Sequence, residues 1–360
     1  MFRNIKFILP LLVVACSPAT EDFSVLPIVE ISTPEGYVYS RSWVEAQIVI
    51  DDSVAYKAKI RGRGNSTFAQ PKHPYSIEFE NDTAVLDLPH RSKYKLLANF
   101  FDHSHIRNAL ALEVARQTSL AAYTPRGRFV ALTFNGEQQG IYYLVESPKT
   151  AAASDSVYKI DAYSSLDEDL QSVPVLPIDT ASFVDYFIVQ ELCQNAEPNG
   201  PRSVYLHVRN GKLFAGPVWD FDLAFINVGV DENGDLCPDQ YRTFEPRPVW
   251  LRDGDYRWLN QDSLYNRQSI IFSDFLGNAH FANRVRERWH YLQPKMLNLT
   301  AFIDSCDNVL RPISKLDDER WLLQDGAKFD NSASYGTSIE TLRANFVYRV
   351  KVLDELFDNL

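Results

Sequence analysis

A chain of 360 residues, 45% of them hydrophobic and 13% aromatic, has ample apolar material for a large core, which excludes disorder as its main state. Lys and Arg number 36 against 47 Asp and Glu, a formal net charge of −11 that repels nucleic acid and anionic lipid. Nucleic acid is therefore not an expected partner.

The chain opens with Arg3 and Lys6, an apolar run from Phe7 to Val14 broken by Pro10, and then Ala15 and Cys16, the layout of a secretory signal. The run falls short of the about 20 apolar residues that anchor a helix in a bilayer. Small residues leading to Cys16 resemble a bacterial lipobox, so the expectation is a signal over residues 1–15, a lipidated Cys16 with a tether over 16–25, and one body over 26–360. That places the protein in the bacterial cell envelope, held at a membrane through its N-terminal lipid. The other reading is an ordinary cleaved signal with an incidental cysteine. Cys193, Cys237 and Cys306 allow at most one disulfide and lack metal-ligand spacing, so buried, inert thiols are expected.

Further along, alternation over residues 43–64 predicts two strands, with Val44, Ala46, Ile48 and Ile50 on one face and Tyr56, Ala58 and Ile60 on the next. The opposite face of the second carries Lys57, Lys59, Arg61 and Arg63, a basic row in an acidic protein. Anion binding is one reading of it; for Lys57 and Lys59 a solvated face with acidic neighbours is favoured. Tyr75, Ile77 and Phe79 mark a third strand. A helix is expected from about Ser104, read as its N-cap, with Ile106, Leu110 and Val114 inward. Asn135-Gly136 and Asn210-Gly211 sit in two hairpins, over 129–146 and 204–219. Between them a helix runs over about 180–195, and beyond residue 240 the pattern turns helical, around Phe281, Val285 and Trp289 and again from Ile339 to Phe357. The expected class is α+β, with a strand-rich half over about 26–178, a helix-rich half over about 179–360, and a ligand site in the cleft between them.

The densest polar group is Glu191, Asn195, Glu197 and Asn199, followed after a hairpin by Trp219-Asp220-Phe221-Asp222. A helix end and a hairpin return the chain close to its start, so both groups can converge as hard oxygen ligands suited to Mg²⁺ or Mn²⁺ and to phosphoryl transfer. On spacing alone, capping or salt bridges are the favoured reading of such paired acids.

Several segments carry a resemblance. Arg61-Gly62-Arg63-Gly64-Asn65-Ser66-Thr67 with Pro71-Lys72-His73-Pro74-Tyr75, Leu96-Leu97-Ala98-Asn99 with Ile106-Arg107-Asn108, Thr124-Pro125-Arg126 through Gly140-Ile141-Tyr142-Tyr143, and Gly216-Pro217-Val218-Trp219-Asp220-Phe221-Asp222 resemble, in order, signature blocks of the spore-coat-protein CotH kinase family. The resemblance implies an atypical secretory kinase of two-lobed, kinase-like fold that moves phosphate from ATP to Ser or other hydroxyls of proteins outside the cytoplasm. It implies that Lys72 holds ATP phosphates with Glu146 orienting it, that Glu197 is the catalytic base, and that Asp220 ligates Mg²⁺ or Mn²⁺ with Asp222 behind it or on a second ion. Arg61, Arg63 and Asn199 would contact the nucleotide. Asp102 with Arg107 is read as a structural ion pair at a helix start. Two departures stand out: Asn195-Ala196-Glu197 where the family usually has an Asp, and His73 where it has a second Lys. They support a second reading, a degenerate pseudokinase acting as a surface binding or assembly lipoprotein.

Overall fold

Seven strands of the first half close into a barrel: β1 (Ile28–Ser32), β2 (Val44–Ile50), β3 (Tyr56–Gly62), β4 (Tyr75–Thr83), β5 (Arg91–Leu97), β6 (Gly127–Phe134) and β7 (Glu137–Glu146), in the order β1-β2-β3-β4-β5-β7-β6. Neighbours run antiparallel except β1 and β6, whose parallel pairing closes the ring. These coordinates are a computed structural model that describes residues 23–360 except 35, 37–38, 52–53, 153, 155, 162–165, 196–197, 199–201, 226–246, 251–255, 260–271 and 322–333. Cys16, Glu197, Asn199 and Cys237 lie outside the described residues.

Period-two alternation sends Ile48, Ile60, Ile77, Tyr94, Val130 and Leu144 into the barrel, where they form its own apolar core. Outside, the strands differ. Ala131, Ile141, Tyr143 and Val145 make the outer surface of β6 and β7 apolar as well, and there the barrel joins a second, larger core with α1 (Arg107–Arg116) and α4 (Thr180–Leu192). The outer surface of β3, β4 and β5 is polar instead. Register aligns Arg61 with Ser76 and Ser76 with Lys95 in one row, and Lys59, Glu78 and Lys93 in the next. This surface lines a cleft instead of joining the larger apolar core.

Both Asn-Gly turns are two-residue turns with positive φ at each position, 48° and 83° at Asn135 and Gly136 and 51° and 69° at Asn210 and Gly211. The second joins β9 (Val204–Arg209) to β10 (Lys212–Ala215), and β8 (Ser156–Ile160) completes a three-stranded sheet on the other side of β9. β10 stops at Ala215, short of the expected Trp219, because Gly216 takes φ 101° and Pro217 has no N–H for a ladder. Ser104 is not the cap of α1. Asp102 supplies the carboxylate, accepting from the backbone N–H of Ser104 at 3.0 Å and of Arg107 at 2.8 Å, and the Arg107 guanidinium binds it too. The structural reading of that pair therefore holds. α4 is capped by Asp179, which accepts from Ser182 N–H at 2.9 Å.

Two short helices, α2 (Pro148–Ala151) and α3 (Leu166–Ser172), lie between the barrel and α4, and β11 (Arg247–Trp250) pairs with β12 (Tyr256–Leu259). The second half is completed by α5 (Ser273–Leu276), α6 (Ala279–Leu297), α7 (Thr300–Trp321) and α8 (Tyr335–Asp358). The class is thus mixed α+β, with the barrel in the first half and helices dominating the second. Cys193 and Cys306 are buried free thiols, and burial raises both above the usual thiol value. Among the described residues no helix is long and apolar enough to cross a membrane.

Candidate active site

A cleft of about 680 Å³ opens between the polar face of the barrel and the loop after β10, within the ~300–1,000 Å³ of small-molecule sites. Its barrel side is basic: Arg61, Arg63, Lys93, Lys95 and, from α2, Lys149. Asp220 and Asp222 line the other side, where Arg202 and Lys159 also reach the cleft.

Asp220 sits at φ 70°, in the left-handed region that a non-glycine residue adopts only where its surroundings hold it. Three contacts do so. Asn108 Oδ1 accepts the Phe221 N–H at 2.9 Å, Ser203 Oγ donates to Asp220 Oδ2 at 2.8 Å, and Asn195 Nδ2 reaches the Asp220 carbonyl at 3.5 Å. Asn108 is fixed in turn, donating to Asn99 Oδ1 at 3.1 Å, and Asn99 donates to the His105 carbonyl at 2.7 Å. The end of β5, the start of α1 and the end of α4 together aim the acidic loop at the cleft.

The electrostatics of the two sides are opposite. Burial, then the nearby charges of Asp220 and Asp102, push the Asp222 carboxyl up to about 7, with Arg63 pulling the other way. Across the cleft burial, then Arg63, Arg61, Lys93 and Lys149, push the Lys95 ammonium down to about 7. Burial is the larger cause on both sides, and like charges add to it. A cation against the acids and a polyanion against the bases would relieve both. Asp220 and Asp222 fit a divalent ion of the Mg²⁺ kind, which is ordinarily held by one or two carboxylates together with phosphate oxygens and water. Among the described residues no group of three or more His, Cys, Asp or Glu side chains converges on a metal position.

Of the residues singled out from sequence, the cleft gathers Arg61, Arg63, Asp220 and Asp222. Arg61 stacks on Trp43 with 4.5 Å from guanidinium to ring centroid, and Arg63 on Trp219 at 5.8 Å. Lys59 is paired with Glu45 at 3.5 Å on an exposed face, as its solvated reading expects. Lys72 is not among the residues of the cleft. It is 1% exposed, and its ammonium lies 2.8 Å from both oxygens of Asp317 on α7. The expected pairing of Glu146 with Lys72 is likewise not the one observed: Glu146 is buried against Arg91 at 3.0 Å and accepts the Arg126 N–H at 2.9 Å. Register explains this, because Glu146 at the end of β7 is in line with Tyr94, one strand from Arg91, whereas Lys72 precedes β4 and meets α7. Glu191 is buried with Arg349 at 3.0 Å, tying α4 to α8.

Sequence reasoning missed Lys95, Asn108 as the loop's anchor, and Ser203. The signal for Lys95 was present: Arg91, Lys93 and Lys95 alternate with Tyr94 and Leu96 just ahead of the Leu97-Ala98-Asn99 block.

The family described as CotH kinase protein matches residues 60–171 and 176–353, and the chain belongs to that family. Arg61, Arg63, Lys95, Asp220 and Asp222 fall within the matched segments, while Arg41 and Trp43 of the cleft precede them. No curated protein matches the sequence.

Proposed function

We propose that the protein is an ATP-dependent kinase of the bacterial cell envelope, tethered by lipid on Cys16, that transfers phosphate to Ser or other hydroxyls of extracytoplasmic proteins. The observation that carries this reading is the opposition of Asp220 and Asp222 to Arg61, Arg63 and Lys95 across one cleft. A Mg²⁺ or Mn²⁺ ion on the two carboxylates would neutralise phosphate charge, which is the chemistry the ion supplies in phosphoryl transfer. The basic side would hold the triphosphate, Glu197 would take the acceptor's proton, and Asn199 would contact the nucleotide. On this reading the barrel and the segment from β8 to the loop after β10, which border the cleft, would serve as the two walls of a nucleotide site.

Purified protein given labelled ATP with Mg²⁺ or Mn²⁺ should phosphorylate itself or a generic protein substrate. Asp220→Ala should abolish the signal and Cys306→Ala should keep it; equal signal from both would reject the site.

A second reading, a pseudokinase that binds nucleotide in assembling the cell surface, is favoured by Glu197. It carries its acid one methylene beyond the family's Asp, and a misplacement of about 1 Å can cost on the order of a hundredfold in rate. Thermal stabilisation by ATP with metal, without transfer, selects this reading, because a ligand that binds only the folded state raises its melting temperature.

A further inference from the structure

The fold moves the expected phosphate-binding lysine out of reach and leaves another cation in its place. Lys95 projects from β5 into the cleft, where its Nζ donates to Ser76 Oγ at 2.8 Å, and Arg61 completes the same cross-strand row. Resting on the kinase reading of this cleft, we infer that Lys95, and not Lys72, is the lysine that binds the nucleotide's phosphates, as the centre of a polyphosphate site shared with Arg61 and Arg63.

Geometry carries the inference. Facing Lys95 are Arg61 from β3, Arg63 just beyond it, Ser76 from β4, Lys93 on its own strand and Lys149 from α2; β7 brings only the apolar Val145 into register. The carboxylates lining the cleft are elsewhere engaged or elsewhere placed. Glu78 is held by Lys93 at 3.0 Å, and Asp220 and Asp222 belong to the other side. A cluster of cations gathered around one largely desolvated ammonium is costly for the empty protein and favourable once phosphate oxygens enter. Ser76 orients the ammonium without neutralising it. Lys72, by contrast, already spends its charge on both oxygens of Asp317.

Binding has a proton signature. With its ammonium pushed down to about 7, Lys95 is mostly neutral at pH 8, and a polyphosphate beside it raises that value, so the complex takes up a proton from solution.

Calorimetric titration of the purified protein at pH 8 with inorganic tripolyphosphate, and separately with MgATP, in two buffers of different ionisation enthalpy tests this. Wild type should bind both probes with proton uptake. Lys95→Met should weaken tripolyphosphate by at least tenfold and lose the uptake, and Lys95→Arg should restore affinity but not uptake. Lys57→Met, the same charge change on an exposed position of β3, should stay within about twofold of wild type, which separates contact from long-range attraction. Equal affinity in wild type and Lys95→Met, or no tripolyphosphate binding by wild type, overturns the assignment. Tripolyphosphate binding that depends on Lys95 in a protein that transfers no phosphate from ATP upholds the assignment and rejects the kinase reading alone.

Discussion

The ammonium of Lys72 and the carboxylate of Asp317, 245 residues apart in the chain, meet at 2.8 Å inside the protein and clasp α7 to the barrel. Asp317 also accepts the Ile141 N–H at 2.7 Å, and a side chain at Gly140, where φ is 88°, would strike the same carboxylate. Burial pulls the Lys72 ammonium below its usual value, with Asp317 opposing. Removing one partner leaves a buried charge without its counter-ion, at a cost of about 3–5 kcal/mol. Lys72→Met should therefore lower unfolding free energy by that order in urea titrations, while the folded fraction keeps its affinity for MgATP. Lys72→Met with Asp317→Leu should recover only part of the loss, because the buried Ile141 N–H then lacks its acceptor, a cost of about 1–3 kcal/mol. A Lys72→Met protein of normal stability that no longer binds nucleotide would return Lys72 to the site.

Asn108 acts through the loop it holds. Its carbonyl oxygen takes the Phe221 N–H, between the two acids that line the cleft. Asn108→Ala should cost about 1–3 kcal/mol of stability by leaving that buried N–H unsatisfied. It should also lower phosphate transfer by on the order of a hundredfold through displacement of Asp220 and Asp222. Tripolyphosphate affinity, set on the barrel side, should not change.

Ser203 touches only one oxygen of Asp220, so its removal separates ligand orientation from ligand identity. Partners of this kind typically cost 10- to 100-fold in metal affinity when lost, roughly the range expected for Ser203→Ala in Mn²⁺ titrations. Unchanged Mn²⁺ affinity would show that Asp220 needs no such support.

Lys95 sets a pH dependence of stability in the ligand-free protein. The unfolded chain holds this proton up to about 10.5 and the folded protein only to about 7, so the unfolded state binds more protons between these values and wild-type stability rises with pH across the window. Lys95→Met lacks that rise. It should be more stable than wild type at pH 7 by a margin that shrinks towards pH 10, read from urea midpoints at several pH values. A margin independent of pH would mean that Lys95 does not titrate there.

Short-range chemistry was legible in the sequence. Asn-Gly turns, the alternation of β2 and β3, and the helix begun near residue 180 follow from residues a few positions apart, and Asp220-Phe221-Asp222 announced an acidic site. The rest depended on long-range register. β5 gives a short strand signal because its barrel-facing residues are just Tyr94 and Leu96, and its polar side faces a cleft that exists only once β3 and β4 lie beside it. Lys72 reads, through the resemblance, as a phosphate-binding cation until α7 arrives with Asp317, and α7 itself contains Pro312, which breaks the usual expectation of a continuous helix. Glu146 and Arg91 pair for the same reason, through strand neighbours that no local spacing shows.

The most direct measurement is a crystal structure of the protein with Mg²⁺ and a non-hydrolysable ATP analogue. The account places the phosphates against Arg61, Arg63 and Lys95, the ion on Asp220 and Asp222, and Lys72 still bound to Asp317. A nucleotide seated elsewhere, or phosphates drawn to Lys72 with Asp317 released, would contradict it.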